Sequence, residues 1–245
     1  MKKTVYFLIV LLLSGIIFMG CEEKLDEDAT VDQVAEDMAS ALGSSNSGIS
    51  SEIQGATYFI ASHDQNAKTA AIDTIYRMET SFTKSNTEGA LITFSYHYDV
   101  NWGIVFQDYS LNHVYYNSEI TGSFDAPRIS STDTRNNKWI ITGLQQASTE
   151  FILNGESERT GTAQSKIGDQ AEIISTSNIV FNDITINKES LEITGGTLDW
   201  EIAGTIDDVD FSYDATVVYK GDGMAQININ GHKYSIDIEV GEIEK

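Results

Sequence analysis

From about Ala71 onward the chain keeps an apolar–polar period of two, and this habit decides its fold class. Ile72, Thr74, Tyr76, Met78 and Thr80 alternate with Asp73, Arg77 and Glu79. Ile92, Phe94, Tyr96, Tyr98, Val100 and Trp102 then alternate with Thr93, Ser95, His97, Asp99 and Asn101. Successive side chains of a strand point to opposite faces, so such stretches are strands with one packed side and one wet side, as antiparallel sheets have. Pro127 is the chain's one proline. Proline lacks the N–H that a sheet ladder needs, and its scarcity suits a long antiparallel sheet turned by Gly and Asn.

The last third carries the pattern most clearly. Leu198, Trp200, Ile202 and Ile206 alternate up to Asp207-Asp208, and Val209 to Tyr219 alternate back out. Asn230-Gly231 is a two-residue loop of the kind that favours a type I′ turn. Its register sets Ile229 opposite His232, Ile227 opposite Tyr234 and Ala225 opposite Ile236, all on one face. Upstream, Trp139 and Ile141 pair with Phe151 and Leu153 across Gln145–Ser148. Asn154-Gly155 and Thr160-Gly161 read as turns, and Asn182-Asp183 and Asn187–Ser190 as breaks between short strands. Ahead of the strands, Val31, Val34, Ala35, Met38, Ala41 and Leu42 make one helical stripe between Thr30 and Gly43. Ile53, Ala56, Thr57 and Ile60 line a second short helix, although Thr57–Ile60 could also open a strand. The fold class is therefore all-β: an antiparallel meander curled into a sandwich or incomplete barrel, with one or two short N-terminal helices.

Lys2 and Lys3 precede an apolar run from Val5 to Phe18, which ends in Met19-Gly20-Cys21. A basic start, a short apolar core and a small residue are the parts of a secretory signal, and the run is shorter than the 20 or so residues a membrane-spanning helix needs. Gly20-Cys21 resembles the cleavage site of bacterial lipoproteins, which implies that Cys21, the chain's only cysteine, becomes the lipidated N-terminus. Glu22, Glu23, Asp26, Glu27 and Asp28 follow. In Bacteroidetes-type lipoproteins such an acidic run resembles the signal for transfer to the outer face of the cell; it is equally a solvated, self-repelling tether. The segments Gly122–Ser130, Phe151–Gly161 and Ile227–Tyr234 together resemble an uncharacterised family of β-rich bacterial lipoproteins, a likeness that carries no activity. The organisation that follows is a signal peptide over residues 1–20, an acidic tether over 21–29, a helical segment over 30–62 and one antiparallel β domain over 63–245.

Loss of residues 1–20, with Lys2 and Lys3 from the 15 basic residues, leaves 13 basic against 37 acidic side chains. Such a surface repels nucleic acid and anionic lipid, so no nucleic-acid partner is expected and membrane contact falls to the lipid on Cys21. With Cys21 acylated no thiol is left for a disulfide.

Motifs for chemistry are missing. His63, His97, His113 and His232 have no second histidine or cysteine at zinc-ligand spacing; His63-Asp64 and the same-face pair His97 and Asp99 read as solvated. Asp207-Asp208-Val209-Asp210 is an acidic turn without the glycine and distal glutamate of a calcium loop. No nucleophile elbow or phosphate loop is present. Phe94, Tyr96, Tyr98, Trp102, Phe106, Tyr109, Tyr115 and Tyr116 crowd into one stretch, either as core pairing or as the lining of a sugar or apolar-ligand site. The sequence therefore reads as an outer-membrane lipoprotein without cofactor or metal, and as a non-enzymatic surface binding or structural module. Two alternatives stand beside it: a carrier of an apolar ligand in a half-open barrel, and a polysaccharide-binding or degrading protein.

Overall fold

A computed structural model describes residues 27–63, 75–86, 89–108, 110–168 and 170–244. The apolar leader, Cys21, the acids Glu22–Asp26 and the segment Ala71–Thr74 lie outside them. Two helices, α1 (Glu27–Leu42) and α2 (Ile49–His63), precede eleven strands. These are β1 (Ile75–Ser85), β2 (Thr93–Gln107), β3 (Ser110–Asp125), β4 (Ile129–Thr142), β5 (Glu150–Ser165), β6 (Glu172–Asn187), β7 (Ile193–Ile206), β8 (Val209–Gly221), β9 (Met224–Ile229), β10 (His232–Asp237) and β11 (Glu242–Ile243). All belong to one antiparallel sheet in sequence order, a pure meander that does not close. The single sheet leaves no second layer for a sandwich, so the incomplete barrel is the alternative that forms.

Helix α1 begins at Glu27, inside what the sequence presents as tether. Its first turn carries Asp28, an acid that suits the positive end of the helix dipole. Thr57–Ile60 is helical, not the start of a strand.

The sheet curls around these helices. Asp32 of α1 accepts a hydrogen bond from the Tyr234 hydroxyl on β10 at 2.6 Å, while Asp37 of the same helix accepts one from Arg159 on β5 at 3.0 Å. In a flat sheet five strand spacings would separate β5 from β10 by about 24 Å. Residues 32 and 37 of one helix are only about 7.5 Å apart along its axis. The inner face, from Tyr96 on β2 to Ile236 on β10, packs with Val31, Val34, Met38, Leu42, Ile49 and Ile53 into one continuous core. Close backbone approach assists the curvature. A Cβ on Gly204 would lie 1.8 Å from the Ile174 carbonyl oxygen, and one on Gly122 2.3 Å from that of Ser95.

The hairpin registers follow the pattern: Ile229 faces His232, Ile227 faces Tyr234 and Ala225 faces Ile236. The expected turns at Asn154-Gly155, Thr160-Gly161 and Asn182-Asp183 lie instead within long strands. Asn154 and Asp183 are bulge residues, left unpaired where the β5–β6 register shifts between Leu153 and Gly155 and the β6–β7 register between Asn182 and Thr185. Asp183 has φ +48°, and it exchanges two hydrogen bonds with Asn154: its Oδ1 accepts at 3.0 Å and its backbone N–H donates at 2.8 Å. The residues that usually make a turn here make a bend without ending the strand.

Candidate functional site

The inner face is apolar at its flanks and ionic at its centre. Three in-register rows cross the middle strands. Ser118, Asn137 and Ser157 form the first, Arg135, Arg159 and Ser177 the second, and Asp133, Gly161 and Ser175 the third. Arg135 and Arg159 stand directly opposite each other, an arrangement that repels on its own. Carboxylates from both helices answer it. Arg159 donates to both oxygens of Asp37 at 3.0 and 3.1 Å and to Asp133 at 3.1 Å. Arg135 donates to the Ser47 carbonyl at 2.9 Å in the α1–α2 connection, and it lies 3.8 Å from Glu52 on α2 and from Asp133. The Tyr96 ring covers its guanidinium at 5.1 Å. Glu52 also accepts from Ser118 and Asn137, each at 2.7 Å.

Every charged member of this network is buried, with Arg135 and Asp37 each 1% exposed. Burial raises the Glu52 pKa above that of an ordinary glutamate, and Arg135, Ser118 and Asn137 counter only part of the effect. Arg159 is held charged by Asp37 and Asp133 although burial opposes it. The network fastens the helices to the sheet. Its side chains are shut in between helices and sheet, and Glu52 alone of its carboxylates also borders the space beneath α2.

Beside it lies an open space. Between α2 and the inner face of β1–β3 is a cavity of about 220 Å³, walled by Phe59, Phe82, Tyr98, Val100, Trp102 and Tyr116, with Glu52 and Gly55 on the helix side. Phe59 meets Trp102 edge-on at 5.1 Å, and Phe82 stacks on Tyr98 at 4.9 Å. At the rim, Lys84 of β1 donates to the Ser51 hydroxyl of α2 at 2.9 Å. Gly55 borders the space on the helix side, and a Cβ built there meets nothing within 4 Å, so a larger side chain fits at this position. A second, polar groove of about 740 Å³ runs over the outer face of β1–β4, past Glu79, Asp99, Asn101, Asn117, Glu119 and Asn136.

Cys21 lies outside the described residues, as do Asp64 and Tyr109; the side chain of His63 does too. The other histidines stay apart. His97 and Asp99 share the outer face as their spacing implies, 3.5 Å apart and both exposed, and His97 also meets Ser81 and Thr83. His113 bonds Asn112, and His232 lies 3.5 Å from Asp28. Among the described residues no three His, Cys, Asp or Glu side chains gather as metal ligands. Asp207 and Asp208 have φ +48° and +68° between the paired Ile206 and Val209, so both residues serve a two-residue turn. Most of the aromatic cluster faces inward: Tyr96, Tyr98, Trp102, Phe106 and Tyr116 are buried, as are Trp139 and Trp200, whereas Phe94 and Tyr115 are half-buried and the Tyr115 ring lies over Gly103 on the other face. A sugar platform needs such rings facing solvent.

The ionic network is what sequence reasoning missed. Its signal was present, because the period of two run backwards from Ile141 and Trp139 puts Asn137, Arg135 and Asp133 on the inner face. Nothing local names their partners, since Asp37 lies 122 residues from Arg159 and Glu52 lies 85 from Asn137. Compared with known proteins the chain stands apart: no family model, no curated protein and no solved structure matches it.

Proposed function

We propose that this chain is a lipid-anchored lipoprotein of the outer membrane, held through Cys21. Its folded domain is a non-enzymatic binding module that takes an apolar group into the cavity beneath α2. The observation that carries the reading is the contrast inside the curled sheet. The core and the ionic network are filled and fastened, whereas the space against Phe59, Tyr98 and Trp102 is walled mostly by aromatic and aliphatic side chains. Apolar walls with a few polar groups at the rim are what small binding sites have in common. The burial of Arg135, Arg159 and Asp37 in ion pairs between helices and sheet supports a structural role for these charges, which favours binding over catalysis. The net charge of −22 supports the anchor, since an acidic domain has little attraction of its own for an anionic bilayer.

N-acetyl-phenylalanine amide is a suitable probe. Titrated into isotopically labelled protein, it should shift the Trp102 indole resonance saturably, and Gly55→Leu, which fills the space from the helix side, should abolish the shift. An unmoved Trp102 resonance in the unmodified protein would falsify the reading. The apolar walls also favour the second reading, a carrier of an apolar ligand. At about 30 Å³ per water the cavity matches about seven water volumes, room for a side chain or a short acyl segment. Co-purified lipid identified by mass spectrometry would support the carrier.

A further inference from the structure

The two edges of the sheet are finished differently. At one edge β10 has six residues and β11 two. At the other, β1 runs for eleven residues and pairs with β2 without a break, from Ile75 opposite Val105 to Ser85 opposite Ser95. Among the described residues nothing pairs with the far side of β1. Natural edge strands are blunted by proline, bulges, shortness or charged side chains, because unpaired N–H and C=O groups template a further strand; of these β1 carries only charges, Arg77 and Glu79 paired with each other and Lys84 near one end. β1 has no proline and no bulge. Met78 and Phe82 on its inner side are 45% and 44% exposed.

The cavity adjoins this same edge. Thr80, Phe82 and Lys84, alternate residues of β1, form its wall on that side. Strand addition takes affinity from main-chain hydrogen bonds and specificity from pockets for alternate side chains. Here an open edge and a pocket sized for one large side chain lie together.

The geometry points to β1 as a docking edge for an extended segment of another protein. That segment adds as a twelfth strand and inserts one bulky apolar side chain into the cavity beneath α2. The inference rests on the cavity reading above and names its partner class. Charge selects the partner further: on β1 Arg77 is paired with Glu79 at 2.7 Å, which leaves Lys84 as the positive charge beside the cavity in a chain of net −22. A segment with an acidic residue near Lys84 complements it, whereas a second copy of this chain brings its own strong negative charge.

The test uses the full mature chain carrying Cys21→Ser and three eleven-residue probe peptides. The first alternates Thr and Val around a central Phe with one Glu nearby, the second replaces that Phe with Ala, and the third is the β1 sequence itself. The Phe peptide should slow hydrogen exchange at alternate β1 amides at least tenfold and shift the Trp102 resonance. The Ala peptide should bind at least tenfold more weakly, and Gly55→Leu should weaken the Phe peptide by a similar factor. If the Phe peptide or the small phenylalanine probe moves Trp102 while β1 amides exchange as before, strand addition is wrong and the cavity reading stands. Protection of β1 by self-association, or by the β1 peptide in preference to the others, makes a second copy the occupant and overturns the partner-strand inference. If no probe moves Trp102, both fail together.

Discussion

Arg159 and Asp37, 122 residues apart, meet through two hydrogen bonds of 3.0 and 3.1 Å in a region closed to water. The pair joins α1 to the centre of the sheet, and through Asp133 it continues to Arg135 and Glu52 on α2. Both helices are thus held by charge as well as by the apolar core.

Removing one partner of a buried ion pair leaves the other charge unmet, at a cost of about 3–5 kcal/mol, whereas replacing both by apolar groups costs far less. Asp37→Ala should therefore destabilise the domain by about that amount in urea unfolding. The double variant Asp37→Leu/Arg159→Met should be more stable than Asp37→Ala alone, and equal losses in the two would remove the pair from the account.

Glu52 gives the stability a pH signature. Its folded pKa lies above the ordinary 4.5 because burial disfavours the carboxylate. Between those two pKa values the folded state holds more protons than the unfolded state, so the Glu52 contribution falls as pH rises through that window. Glu52→Gln cannot titrate. Measured by urea unfolding, the wild type should lose stability relative to Glu52→Gln as pH rises from about 4.5 toward neutrality. A constant difference between the two proteins across that range would show that Glu52 titrates normally.

Much of this architecture is legible in the residues. The alternation Ile92–Trp102 and the Asn230-Gly231 turn translate directly into β2 and the β9–β10 hairpin, because a one-residue slip would turn every apolar side chain to water. The same reasoning misplaces Gly155 and Asp183. Turn residues mark a need for positive φ, and a bulge inside a strand meets that need as well as a hairpin does. The cavity was less legible still. Val100 and Trp102 announce an apolar face, yet the space over it is bounded by α2 residues such as Phe59, whose docking there no local pattern announces.

The bulge pair makes its own prediction. Asp183 combines a left-handed backbone with two hydrogen bonds to Asn154. Asp183→Ala keeps the unfavourable φ without the side-chain bond and should cost about 1–3 kcal/mol. Asp183→Gly relieves the backbone and should recover part of that loss in thermal melts.

For the anchor, Cys21→Ser is decisive. An acyl chain contributes about 0.8 kcal/mol per buried methylene, so losing it should move the protein from the membrane pellet to the soluble fraction. Sedimentation of the Cys21→Ser protein with membranes in high salt would contradict lipid anchoring.

The space beneath α2 is, on this reading, a reachable site with mainly apolar walls. Apolar space between aromatic and aliphatic side chains takes up xenon, whereas polar cavities hold water. Crystals pressurised with xenon should show the gas between Phe59, Val100 and Trp102. A chain of ordered waters there, or α2 collapsed onto β1–β3 with no space left, would contradict the account.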